Sequence, residues 1–493
     1  MNKTLLAPLL ISCALIARAE DKTAPTPSGP QTDGLFQKVI LDASQPANGD
    51  GKAIVSLKDP MELAVAADGR VFYVQREGTV KMYKPDTKST VVIGTLQVED
   101  YQKLNLEDGL LGITLDPGFT KNGWLYLYYS PPETHEAKNG QKAGENILSR
   151  FTLKDDKLDM TSEKVMLRVG TQRQECCHAG GSLAFDAKGN LFLSTGDNTN
   201  PFGSDGFSPT DERPGRSPWD AQKSAGNAND LRGKVLRVTP QKDGTIKIPK
   251  GNLFKPGTPG TRAEIYAMGC RNPFRISVDP KNGILYWGDV GPDAQSFQEG
   301  RGPAGQDEVN QARAAGNFGW PYFVGDSKAY WRYDFEKKTS GERFDPLKPV
   351  NRSPNNTGIN ELPPAQPAFV HYPYGPSAKF PVVDGGGGRT AMAGPVYYFD
   401  PKLKSEHKLP REFDHTLFIY EWSRNWIIAV HLDAKENIAK MERFCPNMTF
   451  KRPMDMELGS DGCLYLIEWG TAWANNTDTQ IVRIEYAGAQ KQP

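Results

Sequence analysis

One short pattern, repeated along the 493 residues, restricts this chain more than any other feature. Its copies are 60-PMELAVAADGRVFYVQREG-78, 109-GLLGITLDPGFTKNGWLYLYYS-130, 179-AGGSLAFDAKGNLFLSTGD-197, 272-NPFRISVDPKNGILYWGDVG-291 and 453-PMDMELGSDGCLYLIEWG-470. Each begins with a small residue, a polar residue or a proline before an alternating run. A turn ending in glycine follows, then a second run rich in aromatic and β-branched residues. The turns at Asp68-Gly69, Lys188-Gly189, Asn282-Gly283 and Asp461-Gly462 have hairpin chemistry. A looser sixth copy runs from 393-AGPVYYFD-400 to 417-LFIYEWSRNWIIAVHLD-433, its turn lengthened by PKLKSEHKLPREFDH.

Antiparallel units of this size cannot bury both faces alone, and radial stacking is the usual solution. Six copies therefore predict an all-β chain, a six-bladed β-propeller with long loop insertions. Most spacings exceed the roughly 40–50 residues of a plain blade. The excess lies in residues 198–232, 293–306 and 322–390, the last rich in proline and ending in Gly385-Gly386-Gly387-Gly388. The expected organisation is a signal peptide over 1–19, a linker and N-terminal segment over 20–49, one propeller domain over 50–487, and a tail over 488–493.

The first residues, MNKTLLAPLLISCALIARAE, carry Lys3, an apolar run from Leu5 to Ile16 and a small-x-small site at Ala17-Arg18-Ala19. The run is too short to span a bilayer, so no transmembrane segment is expected. An exported protein, periplasmic or secreted, is expected, with lipoprotein anchoring at Cys13 as the alternative reading. Lys+Arg and Asp+Glu both total 59, and nothing in that balance suggests a nucleic-acid partner.

Five cysteines follow the leader, and an odd number leaves at least one unpaired. No Cys-x-x-Cys-His occurs, so attached haem is not indicated. Cys176 and Cys177 are adjacent and precede His178. They form a vicinal disulfide, remain thiols, or place Cys177 against Cys270.

In a propeller blade the innermost strand lines the central channel, and the second strand returns to the face where the first began. Residues just before the first strand and just after the second therefore share one rim. Before it stand Glu107, Asp108, His178, Arg271 and Arg452; after it stand Asp197, Asp289, Glu421 and Glu468. Neutral strand ends would suffice for folding, so this charged rim is the candidate site. Its bland reading is a set of inter-blade salt bridges, with Glu421-Trp422 and Glu468-Trp469 as packing features of the repeat.

The chain resembles the soluble PQQ-dependent sugar dehydrogenases, the glucose/sorbosone dehydrogenase family, over about residues 50–487. The motifs carrying the resemblance are 109-GLLGITLDPGF-119, 178-HAGGSL-183, 232-RGKVLRV-238, 269-GCRNPFRISVD-279, 288-GDVGP-292 and 307-DEVNQARAAGNFGWP-321. It is most similar to a subgroup with Cys-Cys-His around the catalytic histidine. The resemblance implies His178 as the general base taking the anomeric proton while hydride passes to PQQ, and Arg271 as the cation polarising the quinone oxygen, with Asn272 beside it. It implies calcium on the carbonyls of Gly291 and Pro292, and a further calcium at Asp307 and Glu308. Glu107, Arg424 and Arg452 fall at its cofactor-binding positions. The pattern departs at Met454 (for an arginine), Val290 and Glu107 (for glutamines), Cys177 (for an aspartate) and Arg424 (for a lysine).

The expected activity is oxidation of an aldose or related sugar, with electrons leaving to a separate acceptor, a cytochrome or a quinone. Two alternatives stay open. One is a calcium-dependent lactonase-type hydrolase using Glu107, Asp197, Asp289 and Glu468. The other is a non-catalytic carbohydrate-binding propeller using Trp331, Tyr333, Tyr372 and Tyr374.

Overall fold

The computed structural model describes residues 33–488, except 49–51, 55–56, 105, 138–139, 384 and 473–475. The leader, Cys13, residues 20–32 of the linker and residues 489–493 of the tail lie outside the described residues. Six sheets of repeating design, antiparallel but for one short parallel pair between Ile265–Met268 and Gly316–Asn317, follow one another along the chain. Their innermost strands are Pro60–Val65, Leu110–Leu115, Gly180–Phe185, Pro273–Val278, Ala391–Tyr397 and Pro453–Leu458. Each packs against the next and the sixth against the first, so the ring closes as a six-bladed propeller. We number the blades one to six in that order.

Second strands such as Val71–Gln75, Leu191–Thr195, Leu285–Asp289 and Leu464–Glu468 are buried along their whole length. A blade is covered on both faces by its neighbours, so these strands read as continuous apolar runs. The hairpin glycines Gly69, Gly189, Gly283 and Gly462 all take φ between 77° and 85°, where a side chain would be strained.

The domain boundary differs from the expected one. Phe36–Ala43, assigned above to the linker and N-terminal segment, pairs antiparallel with Gln480–Tyr486 as the outer strand of blade six. Phe36 packs its ring against Phe413, Phe444 and Tyr486, and Lys38 reaches Glu468 at 2.6 Å. A lone strand whose partner lies at the far end of the chain leaves no repeat signal. The propeller therefore begins at residue 36.

In every blade the pairing between first and second strands shifts register near the start of the first: Pro60/Leu63, Leu110/Gly112, Gly180/Leu183, Pro273/Arg275, Ala393/Val396 and Pro453/Asp455. Such irregularities bend a strand and re-aim its side chains. Here they bring charged groups across the channel. Arg275 donates to the carbonyls of Met454 (3.1 Å), Phe274 (2.7 Å) and Met61, and faces Asp455 at 3.4 Å. Glu62 accepts from the amides of Ile113 (2.7 Å) and Leu183 (3.1 Å), and Asp455 from Leu63 (2.8 Å). Five of the six blades are thus joined below the rim. Among the described residues no helix is long and apolar enough to cross a membrane.

Candidate active site

The rim carboxylates fall into two kinds. Asp289 accepts from the amides of Arg271 (3.1 Å) and Asn272 (2.7 Å). Glu421 accepts from the amides of Thr390 and Arg424, and Glu468 from that of Lys451 and from Lys38. These three cap the backbone entering or leaving a blade, a structural role other than the inter-blade salt bridges of the bland reading. Asp197 of blade three does something else. One oxygen lies 2.7 Å from His178 Nδ1 and accepts from Thr199 N (3.0 Å); the other accepts the indole N–H of Trp320 at 2.7 Å.

His178 is buried and has φ of 61°. The two glycines that follow also take positive φ, and a Cβ on Gly196 would lie 2.1 Å from the His178 carbonyl. Small residues are required here because the strand end passes directly beneath the histidine. With Nδ1 held by Asp197, the imidazole presents Nε2 as its remaining nitrogen, the arrangement that fixes a tautomer and supports a charge gained on the ring. Glu107 accepts from Ala179 N at 3.1 Å, and Asn272 Oδ1 from Gly180 N at 3.1 Å. Both therefore steady the loop that carries His178. Cys176 and Cys177 are joined by a disulfide next to His178, while Cys270, Cys445 and Cys463 are buried thiols. The disulfide, His178, Glu107 and Arg232 line one cavity.

Arg271 lines a second cavity with Asp289, Gly291, Pro292, Glu308 and Trp320. Its Nη1 donates to Val290 O at 2.8 Å, and Nη2 lies 3.7 Å from Asp293. Its Nε is buried with no hydrogen-bond partner. An unsatisfied buried guanidinium N–H is costly, and an acceptor on a bound molecule would relieve it. Burial pushes the carboxyl of Asp289 up to about 7; it pushes Glu308 up to about 8, with the charge of Asp289 adding to the effect.

Arg452 lies over Trp422 (4.4 Å) and near Trp469 (5.9 Å), and burial lowers its pKa. Arg424 is directed elsewhere than to a cofactor carboxylate: it donates to the carbonyls of Gly388, Val383, Pro373 and Tyr374 at 2.9–3.2 Å, latching the insertion before blade five. Glu308 accepts from Gly325 N (2.5 Å) and Asn310 (3.0 Å). Asp307 is wholly buried and accepts from the amides of Gly291 (3.0 Å) and Ala391 (2.9 Å). It also faces Arg389 at 3.3 Å, and Arg389 donates to the Pro292 carbonyl at 2.6 Å. Tyr372 is fully buried and offers no face to a sugar; Tyr374 is half-buried, with the Arg389 guanidinium 3.9 Å from its ring. Trp320 and Arg389 carry no signal of period or repeat. The first stands inside a quoted motif and the second directly after the glycine run, and only the fold reveals their contacts.

A sequence profile described as Glucose / Sorbosone dehydrogenase matches residues 57–359. The chain belongs to the glucose/sorbosone dehydrogenase family. Aldose sugar dehydrogenase YliI of Escherichia coli is 30% identical over 215 residues, covering 44% of this chain and 46% of that protein, so this match spans about half of the relative. Quinoprotein glucose dehydrogenase B of Acinetobacter calcoaceticus is 26% identical over 386 residues, 75% of this chain and 73% of that one. The human Hedgehog-interacting protein also matches, 25% identical over 46% of this chain and 31% of its own length. Among solved structures, the apo-form of the soluble aldose sugar dehydrogenase from Escherichia coli superposes with a TM-score of 0.58 at 19% identity, covering 92% of this chain and 99% of that one. The PQQ-bound aldose sugar dehydrogenase from Streptomyces coelicolor gives 0.54 at 17%, covering 91% and 98%. These two likenesses concern the fold.

Proposed function

We propose that this member of the family is an exported, PQQ-dependent dehydrogenase of an aldose or related sugar, with His178 as the general base. The observation that carries the reading is the Trp320–Asp197–His178 chain, set on the rim beside a buried Arg271 whose Nε lacks a partner. PQQ supplies an electron-poor quinone that accepts hydride. Arg271 would hold it, and Arg452, on the rim between two tryptophans, is the second cation suited to its carboxylates. His178 Nε2 takes the proton of the anomeric hydroxyl as the C–H bond breaks. Asp197 keeps Nδ1 protonated throughout and balances the charge on the imidazolium, while Trp320 holds Asp197 in place. Arg271, drawn against Trp320 at 5.8 Å from its ring, brings positive charge to the side where negative charge develops. A separate acceptor, a cytochrome or a quinone, would take the electrons.

Calcium fits this chain less well than PQQ does. Of the four groups assigned to it, Pro292 O and Asp307 are engaged by Arg389, and Glu308 by Gly325 and Asn310. The lactonase reading, which needs rim carboxylates free to hold a metal, is disfavoured by the amides and the indole that occupy them.

The test is reconstitution of the purified chain with PQQ, followed by absorbance and by dye reduction with a panel of aldoses. Binding with turnover, and a fall in turnover of about 10²–10⁴-fold in His178→Ala, is the expected result. No binding at micromolar PQQ would reject the reading.

A further inference from the structure

Arg389 is a buried cation near the site that the proposed reaction does not use; its side chain is 1% exposed. It follows the run of four glycines and enters blade four from the insertion before blade five. One nitrogen donates to the Pro292 carbonyl at 2.6 Å, and another faces the Asp307 carboxylate at 3.3 Å. Asp307, in turn, accepts from the amide of Gly291. The guanidinium thus joins the Gly291-Pro292 turn to the acidic strand of blade four, the two groups between which the resemblance divides its calcium ligands.

The surroundings are shaped around it. A Cβ on Gly305 would lie 1.7 Å from Pro292 O and 3.1 Å from Arg389 Nη2; a Cβ on Gly291 would lie 1.7 Å from Gln306 O. Any side chain at either place would displace the turn or the guanidinium. A calcium ion needs six to eight oxygens at about 2.3–2.6 Å. At this locus the Pro292 oxygen already accepts an N–H, and both Asp307 oxygens have partners. A divalent ion here would also lie a few ångströms from a fixed positive charge in a poorly screened interior, which is strongly repulsive.

We propose that Arg389 is the resident cation of the Pro292–Asp307 locus, so that the turn beside Arg271 is held by a guanidinium and requires no calcium. The consequence reaches the candidate base-and-cation pair. Arg389 stacks on Tyr374 at 3.9 Å, the Tyr374 hydroxyl donates to Asp293 at 2.9 Å, and the other oxygen of Asp293 faces Arg271 at 3.7 Å. Arg389 is a positioning residue for Arg271. Nη2 hydrogen-bonds the Pro292 carbonyl, whereas Nη1 faces Asp307 without a hydrogen bond and Nε is unpartnered, so the carboxylate is held by charge, which a permanently charged guanidinium supplies without any dependence on metal supply.

The inference leans on the proposed function only where PQQ is concerned, and the test separates the two. Calcium binding is measured by calorimetry and thermal stability on chelator-treated full-length protein, for wild type, Asp307→Asn, Arg389→Ala and Arg389→Ala/Asp307→Asn. In wild type, chelation is expected to leave Tm unchanged, and no calcium uptake depends on Asp307. Arg389→Ala is expected to lower Tm and to gain a calcium response that restores several degrees, lost again in the double variant. Calcium uptake by wild type that disappears in Asp307→Asn overturns the proposal, as does a folded Arg389→Ala that ignores calcium. Should Arg389→Ala not fold, the wild-type and Asp307→Asn isotherms decide between the same two outcomes. PQQ titrated with and without chelator is expected to give one midpoint. Failure to bind PQQ at all would reject the cofactor reading and leave the calcium results standing.

Discussion

At the scale of single residues, the site depends on one carboxylate doing a job different from its counterparts. Asp289, Glu421 and Glu468 cap amides at the ends of their blades, whereas Asp197 takes the imidazole and the indole. Replacing Asp197 with asparagine keeps the shape but offers an amide where the ring N–H needs an acceptor. We expect Asp197→Asn to lower kcat on the order of 10²–10⁴-fold with a smaller change in KM, measured by steady-state dye reduction. Trp320→Phe removes a partner of Asp197 and leaves the His178–Asp197 hydrogen bond, so a smaller loss of kcat is expected in the same assay. His178 was legible because a motif and a strand entry coincide there. Asp197 was legible only as one of several rim acids, since capping and orienting carboxylates occupy equivalent positions in the repeat and differ only in what the facing loop supplies. Trp320 is that supply, and no local rule connects position 320 with position 197.

At the scale of elements, two latches hold segments beside the site. Arg424 secures the stretch that ends in the glycine run through four backbone carbonyls. Its position suggested a cofactor cation by analogy with a lysine; the difference arises because a guanidinium can serve several carbonyls at once. Arg424→Ala should release residues 373–388, and limited proteolysis should then cut within Gly385–Gly388 at least severalfold faster than in wild type. The disulfide at Cys176-Cys177 is a latch of another kind, fixing the approach to His178. Reduction by a small phosphine is expected to lower kcat while leaving the far-ultraviolet circular dichroism unchanged; unaltered turnover in fully reduced protein would count against that role. The hairpins were readable from Asp-Gly and Asn-Gly turns, and the blades from their spacing. The disulfide was one of three readings that the adjacent cysteines allowed; the Arg424 latch was not legible, because its partners are main-chain oxygens, which every residue carries.

At the scale of the whole molecule, the Arg275–Asp455–Glu62 group ties the blades across the channel. Removing the arginine would leave buried acids without their cation, and Arg275→Met is expected to destabilise the fold by about 3–5 kcal/mol in chemical denaturation. Burial raises the pKa of Glu62 to about 8, with Arg275 opposing and Asp455 reinforcing the shift. A carboxyl raised in the folded state stabilises the fold below its ordinary pKa and loses that contribution as pH climbs through the folded value. Tm should therefore decline between about pH 5 and pH 8, and Glu62→Gln should flatten that decline in calorimetric scans. The six-fold repeat announced this architecture from the sequence; the polar group across the channel did not, because its members lie hundreds of positions apart.

The pairing of Phe36–Ala43 with Gln480–Tyr486 bears on how the protein comes into being. The strand that shuts the ring is the first of the fold to leave the ribosome, and its partner is the last. During synthesis five blades can assemble in order, but the sixth cannot, and an apolar strand led by Phe36 waits through the making of more than four hundred residues. Whatever escorts the chain in that interval must keep the early strand from pairing with a stranger's open edge. Birth order and ring closure are in this way opposed, and the finished propeller is possible only once the newest residues have met the oldest.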